Sequence, residues 1–163
     1  MSVQVIHGSI LNVDADVIVN AANSLGIMGG GVAGVIKRAA GQEVEDEARR
    51  YAPIAVGQAV LTSGGLTRFK GIIHAPTMPR PAMRIAATNV GLATAAAMAL
   101  ADEHEFTSIA LPGMGTGVGG VSHRDAAAMM MREIERYSPR CLKSVILVDV
   151  DDAMVTAWRA LLT

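Results

Sequence analysis

The sequence predicts an α/β fold, namely a three-layer α/β/α sandwich with a central mixed, mostly parallel sheet. Short β-branched runs alternate along the chain with longer segments of helical spacing, which is the pattern of strands that each lead into a helix. Two of the buried runs end directly in glycine-rich turns. A chain of 163 residues with 51% hydrophobic and 18% charged residues has the size and composition of one domain, which we assign to residues 1–163.

Six strands and five helices follow from these patterns. The strands are predicted at residues 3–6, 17–19, 59–62, 71–74, 108–112 and 145–148, and the third and fourth are expected to be antiparallel neighbours. Helices are predicted at residues 32–40, 43–50, 84–104 and 122–137, with a last helix capped by Asp152. A proline-rich loop follows the fourth strand after Pro76.

The sequence also predicts which faces of three helices are buried or exposed. The alanine-rich third helix is expected to bury the stripe Ile85, Leu92, Ala96 and Leu100. The last helix is expected to bury the face Val155, Trp158, Leu161 and Leu162, so the lone tryptophan is a core residue. In the second helix the acids before Arg49 and Arg50 are expected to pair with them four residues apart on a solvated face.

The composition argues against several classes of partner. No uninterrupted apolar stretch reaches the ~18–20 residues of a membrane span, so no membrane association is expected. The formal net charge is -1 and no basic face is evident, so long nucleic acid is not an expected partner. The first residues carry no recognisable export signal, and we expect a cytoplasmic protein.

The cysteine and histidine content predicts neither a disulfide nor a metal site. Cys141 is the single cysteine and is expected to be a half-buried apolar residue. The four histidines are far apart in sequence and lack the spacing of a local metal motif. We assign no metal and no cofactor.

The two glycine-rich turns are the candidate functional feature. The first glycine loop (residues 29–31) follows the second strand, and the second glycine loop (residues 113–119) follows the fifth. Glycines between a strand and a helix let backbone N–H groups approach an anion, and the helix N-terminus adds positive potential. If the two strands are neighbours, each loop would hold one phosphate of a diphosphate. The alternative is that the glycines only turn the chain.

Neither common nucleotide-binding motif fits these loops well. Gly115, Gly117 and Gly120 formally match the GxGxxG spacing, but the motif lies late in the chain, whereas the dinucleotide fingerprint belongs to a first strand–helix unit. In the first loop, Val35 stands where a P-loop requires lysine. Neither of these nucleotide-binding folds is therefore supported.

The same glycine-rich segments strongly resemble the macro domain family, whose members bind ADP-ribose or process ADP-ribose 1″-phosphate. The resemblance rests on residues 8–10, 16–23, 29–34 and 38–41, and continues through residues 56–59, the strand that ends at His74, and residues 111–119. It covers nearly the whole chain and implies the macro-domain fold.

The resemblance also implies a ligand site. The first glycine loop would line the distal ribose and a phosphate, the second would close over the diphosphate, and Asn23 would face the distal ribose. Asn23 is also the one candidate catalytic residue, although capping its own turn is an alternative role. The predicted ligand-binding set is Ser9, Ile10, Ala22, Asn23, Gly29, Gly30, Gly31, Val32, Ala33, Gly113, Met114, Gly115, Thr116, Gly117, Val118, Gly119 and Asp149.

The sequence departs from the family pattern at both ends of that site. Ser9 stands where members that recognise adenine commonly have aspartate, and Val150 stands near the position of a stacking aromatic residue. Asp149 or Asp151 would then be the acceptor for adenine, or else a solvated turn residue. Ala33 stands where the hydrolytic branch typically has aspartate, and Lys37 where it often has histidine. Gly119 replaces an aromatic residue that covers the diphosphate in many relatives.

Three functions remain open from the sequence. The first is a module that binds ADP-ribose, free or linked to a mono-ADP-ribosylated protein. The second is a weak hydrolase of ADP-ribose 1″-phosphate, O-acetyl-ADP-ribose or mono-ADP-ribosylated protein, in which Asn23 positions the water and His74 helps if it reaches the pocket. The third is a binder of another nucleotide or an oligonucleotide.

Overall fold

A computed structural model describes residues 1–162 and shows one mixed six-stranded sheet with the strand order β1-β6-β5-β2-β4-β3. All neighbouring strands are parallel except β3, which runs antiparallel to β4 at one edge. The elements in chain order are β1 Ser2–His7, β2 Val17–Asn23, α1 Gly31–Ala40, α2 Gln42–Arg50, β3 Val60–Thr62, β4 Gly71–Met78, α3 Ala87–Glu103, β5 Ser108–Leu111, α4 His123–Arg136, β6 Ser144–Asp149 and α5 Asp152–Ala160.

Helices cover both faces of the sheet, which confirms the predicted three-layer sandwich. Side chains of alternate strand positions, such as Val17 and Ile73, pack against α3, α4 and α5. The intervening positions, such as Ile18 and Ile72, pack against α1 and α2 on the other face. The central strands are buried on both faces and therefore consist of continuous apolar runs rather than alternating ones. Within residues 1–162, no helix is both long and apolar enough to traverse a bilayer.

Two strands extend further than their β-branched runs predict. β2 continues through the predicted polar turn to Asn23, and β4 continues through Pro76 to Met78. β3 pairs with β4 only as far as His74, so beyond that point β4 has no strand neighbour on that side. Pro76 pairs with Ala22 of β2 at a register shift, where the next pair is Asn23 with Met78. Proline is tolerated at such an irregularity because the ladder of hydrogen bonds is interrupted there. The proline-rich loop begins later than expected.

The predicted helices are present, but the buried faces expected for α3 and α5 were wrong in part. α3 buries Val90, Ala93 and Ala97, whereas Leu92 is 49% exposed. Alanines lie on all sides of this helix, so periodicity could not show which of its faces is buried. Trp158 is fully buried as expected, but the two leucines after α5 are exposed.

Corrections also apply at the start of α5 and in α2. Asp151, not Asp152, caps α5 by accepting a hydrogen bond from the Ala153 N–H. In α2, Glu45 is buried and pairs with Lys37 of α1 rather than with Arg49. Ser122 caps α4 as predicted, accepting from the Asp125 N–H at 3.1 Å.

A buried carboxylate joins α3 to the connection between α4 and β6. Asp102 is 5% exposed and accepts hydrogen bonds from the backbone N–H groups of Arg140, Cys141 and Leu142 and from the Tyr137 hydroxyl, all at 2.6–2.9 Å. Burial alone would raise the pKa of Asp102, but these donors outweigh it and hold the pKa well below its usual value. Cys141 is half-buried beside this carboxylate.

Candidate functional site

A cleft of about 490 Å³ opens where β2 and β5 end, between the two glycine loops. β2 and β5 are parallel neighbours, as predicted, so both loops leave the same edge of the sheet. The lining consists of uncharged residues only: Ala21, Ala22, Asn23, Ile27, Gly29, Gly30, Gly31, Val32, Ala33, Thr77, Met78, Pro81, Ala82, Gly115, Gly117, Val118 and Gly119. We call this space the glycine cleft.

The first glycine loop leads directly into α1. Gly31 is the first residue of this helix and adopts a φ of +59°, which favours glycine because side chains clash in this region. A Cβ placed on Gly29, Gly30 or Gly31 would meet no atom within 4 Å, so their backbone faces open space. The unpaired N–H groups of the first turn of α1 and the positive end of the helix dipole therefore lie at the glycine cleft.

The second glycine loop is a compact turn closed on itself. The Val121 N–H donates to the Gly115 carbonyl at 2.9 Å, and the Gly120 N–H donates to the Gly117 carbonyl at 3.1 Å. Gly115 has a φ of +79°, and a Cβ there would lie 2.8 Å from the Val90 side chain. These contacts require glycine at this position and fix the loop against α3. Gly117 and Val118 remain exposed at the cleft edge.

A third wall of the glycine cleft was missed from the sequence. Thr77 and Met78 end β4, and Pro81 and Ala82 follow in the connection to α3. The Ile85 N–H donates to the Gly119 carbonyl at 2.9 Å, so this connection is attached to the second glycine loop. These residues reach the cleft because β4 lies next to β2 in the sheet. The order of the elements along the chain does not reveal that neighbour relation, so the sequence contains no signal for this wall.

Asn23 lies at the end of β2, buried at the base of the cleft. Its Oδ1 accepts hydrogen bonds from the N–H groups of Leu25 and Ile27, and its Nδ2 donates to the Ile27 carbonyl at 2.8 Å. The side chain therefore caps its own turn, the alternative role considered above. One hydrogen of Nδ2 remains for a ligand, whereas Oδ1 is fully engaged and is poorly suited to orient a water.

Six of the predicted binding residues do not line the glycine cleft: Ser9, Ile10, Gly113, Met114, Thr116 and Asp149. The Ile10 and Met114 side chains are buried in the two apolar cores. Ser9 accepts from the Leu11 N–H and thereby caps a short turn.

Both carboxylate oxygens of Asp149 are already engaged. They accept the N–H groups of Gly113 and Asp151, each at 2.9 Å. Asp151 accepts from Ala153 and lies 2.7 Å from Nε2 of His123. Both acids are therefore held by contacts within the protein. Val150, between them, is 72% exposed.

His74 does not reach the glycine cleft and is therefore not the catalytic helper considered from the sequence. It is fully buried under α2, with Nδ1 at 3.1 Å from Nδ2 of Asn20 and Nε2 at 3.0 Å from Oγ1 of Thr62. Burial lowers the pKa of His74 to about 4, although the nearby Glu47 carboxylate opposes this shift. The imidazole is neutral at physiological pH and contributes to the core.

The buried His74 is expected to make the protein lose stability in mild acid. The unfolded chain binds a proton at His74 below about pH 6.5, whereas the folded chain resists protonation until about pH 4. As the pH falls through this window, we expect His74 to remove up to about 3 kcal/mol of unfolding free energy. Urea unfolding at pH 7 and pH 4.5 measures the loss, and His74→Gln should reduce the difference between the two pH values. An unchanged difference in that variant would assign the acid sensitivity to other groups.

Residues 1–162 contain no cluster of three or more His, Cys, Asp or Glu side chains arranged to hold a metal ion. The groups that the glycine cleft presents to a ligand are backbone N–H groups, apolar side chains, the Thr77 hydroxyl and the remaining amide hydrogen of Asn23. This donor set suits an anion of moderate size attached to uncharged polar and apolar parts.

The fold and cleft define a three-layer α/β domain with a glycine-lined cleft at the carboxyl ends of two central parallel strands. The family model described as "Macro domain" matches residues 19–130. The chain belongs to the macro domain family.

Its sequence relatives come from several bacteria and archaea. A protein of Aquifex aeolicus is 57% identical over 162 residues, which cover 99% of this chain and 98% of that protein. A protein of Aeropyrum pernix is 52% identical over 120 residues, 74% of this chain and 64% of that protein. A Mycobacterium tuberculosis protein is 37% identical over 98% of this chain, which spans only 44% of that protein's length.

Solved macrodomain structures share the fold. The Oceanobacillus iheyensis macrodomain with ADP superposes with a TM-score of 0.85 at 24% identity, over 96% of this chain and 87% of that chain. The Trypanosoma brucei macrodomain in complex with ADP-ribose superposes with a TM-score of 0.87 at 22% identity, over 99% of this chain and 69% of that chain.

Proposed function

We propose that this chain binds ADP-ribose, free or linked to protein, in the glycine cleft. The observation that carries the proposal is that two glycine loops from neighbouring parallel strands open onto one cleft, with backbone N–H groups available at its wall. Two loops at one site suit the two phosphates of a diphosphate. Related macrodomains hold ADP and ADP-ribose, which supports the same ligand class here.

The character of the lining supports binding rather than hydrolysis. Ala33 lies in the first turn of α1, is 8% exposed and lines the cleft, so the position that carries aspartate in the hydrolytic branch offers a methyl group. Asn23 uses its carbonyl oxygen within its own turn. General-base catalysis requires a group that accepts a proton at the reacting water, and the cleft-lining side chains are apolar, amide or hydroxyl.

A calorimetric titration with ADP-ribose, ADP, adenosine and oligo(A) tests the proposal. ADP-ribose and ADP are expected to bind at one site per chain, and adenosine at least roughly 100-fold more weakly, because it cannot use hydrogen bonds from N–H groups to a charged phosphate. Chromatography after the titration should recover ADP-ribose unchanged. Equal affinity for adenosine and ADP would contradict the role of the glycine loops, and preference for oligo(A) would favour the third function.

A further inference from the structure

The chain segment that enters the first glycine loop is held from behind by a buried carboxylate. Glu45 of α2 is 5% exposed, and its Oε2 accepts the Met28 N–H at 2.6 Å. Its Oε1 accepts from Nζ of Lys37 at 3.0 Å and from Nε2 of Gln42 at 2.7 Å. One side chain thus joins the loop, α1 and α2. None of these three donors is used elsewhere in the function proposed above.

The hydrogen bond between Glu45 and the Met28 N–H lies one residue before the glycine cleft. Met28 is buried, with 1% of its surface exposed, and Gly29 after it lines the cleft. On the far side of the loop, α1 begins at Gly31, and Lys37 is part of the same helix. Glu45 therefore fixes both the residue before the glycines and the helix after them. The three glycines between these points have no side chain to hold them.

The carboxylate remains charged at neutral pH. Burial raises the pKa of Glu45, but the Met28 N–H, Gln42 and Lys37 outweigh this effect and lower the pKa below its usual value. A charged acceptor makes a stronger hydrogen bond to a backbone N–H than a neutral one does. The Met28 contact is accordingly stronger than an ordinary loop hydrogen bond.

We propose that Glu45 is a positioning residue that sets the affinity of the glycine cleft by holding Met28 and thereby ordering the first glycine loop. This inference rests on the proposed function. Glycine has more backbone freedom than any other residue, so ordering three in succession is costly unless their flanks are fixed. If loosening the flank reduces the binding-competent fraction to a tenth, the apparent Kd rises about tenfold.

The chain provides a matched control on the same helix. Glu47 also reaches from α2 to a loop, where its oxygens accept the Ser63 N–H at 3.1 Å and the Ser63 hydroxyl at 2.7 Å. Ser63 does not line the glycine cleft. Glu45→Gln is expected to raise the Kd for ADP-ribose about tenfold, whereas Glu47→Gln is expected to change it less than twofold. Both variants replace a carboxylate that accepts hydrogen bonds from a loop. Thermal unfolding of each variant measures how much stability that replacement removes, independently of ligand affinity.

A second variant and a second measurement separate the possible outcomes. Lys37→Met should raise the Kd about threefold and add nothing in combination with Glu45→Gln, because both changes act through one contact. This single variant also tests the idea if Glu45→Gln does not fold. Amide hydrogen exchange without ligand should be faster at Met28 and residues 29–31 in Glu45→Gln, but not in Glu47→Gln.

The proposal is overturned if Glu45→Gln and Glu47→Gln affect affinity equally, or if Met28 exchange is unchanged in Glu45→Gln. A wild-type protein that fails to bind ADP-ribose would refute the proposed function instead. In that case the exchange experiment still decides whether Glu45 orders the loop.

Discussion

A Gly30→Glu variant is expected to bind ADP-ribose at least roughly 100-fold more weakly than wild type while keeping its fold. Gly30 is exposed, has an extended backbone with φ -146° and ψ -175°, and a Cβ on it meets nothing within 4 Å. A side chain therefore causes no strain in the protein. A carboxylate at this point would stand in the glycine cleft, where the proposal places a phosphate, and like charges in a partly enclosed site repel strongly.

Two further substitutions at Gly30 separate charge from bulk. Gly30→Gln has nearly the size of Gly30→Glu without its charge and should weaken binding less, while Gly30→Ala should bind close to wild type. Calorimetry gives the affinities, and urea unfolding should show a change below about 0.5 kcal/mol for each variant. If the glutamate and glutamine variants bind equally well, no anion lies beside Gly30.

Replacing Asp102 by alanine is expected to reduce the unfolding free energy by about 3 kcal/mol or more. The variant leaves the N–H groups of Arg140, Cys141 and Leu142 without their acceptor. The Leu142 contact is buried and the other two are part-buried, and a fully buried donor left unpaired costs about 1–3 kcal/mol. Tyr137 loses its partner as well. Equilibrium unfolding in urea measures the loss.

The matched control is Glu103→Ala, which removes the exposed acid next to Asp102 at the end of α3 and should change stability by less than about 0.5 kcal/mol.

Asp102→Asn separates the effect of the charge of this side chain from the effect of its shape. Because the folded-state pKa of Asp102 is lowered, its contribution is complete well above pH 3.8 and is lost as the pH falls below that value. The difference between wild type and Asp102→Asn should therefore shrink in strong acid. A difference that does not depend on pH would show that the charge is unimportant.

The layer structure could be predicted because strand and helix periods differ clearly in most of this chain. Val17, Ile18 and Val19 form a short β-branched run that is typical of a strand buried on both faces, and Ser122 with Asp125 marks a helix start. The face of α3 could not be predicted, since a helix made largely of alanine is apolar in every direction. The extension of β4 through Pro76 depends on its pairing with β2 across a register shift, which is a property of the assembled sheet.

The glycine positions of the site could be predicted because they are fixed by local geometry. Gly31 and Gly115 adopt positive φ values that the strand–turn–helix context already indicates. The wall formed by Thr77 and Ala82 depends on β4 lying beside β2, a neighbour relation absent from the sequence pattern. Asp149 was predicted as a ligand contact from its position at a strand end, and this stays a prediction; the contacts of its oxygens with the N–H groups of Gly113 and Asp151 could not be read from the sequence. The role of Glu45 depends on burial, and its helix alone suggested a solvated acid.

The sheet also contains a seam between two parts of the chain. Strands β2, β4 and β3 and the first glycine loop lie on one side of it. Strands β5, β6 and β1 and the second glycine loop lie on the other side, with β1 at the edge of the sheet. Across the seam β2 and β5 pair only at Val17–Ile109 and Ile18–Ala110, whereas the pairing of β2 with β4 runs from Val17–Gly71 to Asn23–Met78. A diphosphate held by both loops would span the seam just beyond the end of this short pairing and act as a reversible cross-link between the two parts. Binding would then add to the unfolding free energy of the protein by an amount that the free ligand concentration relative to Kd sets.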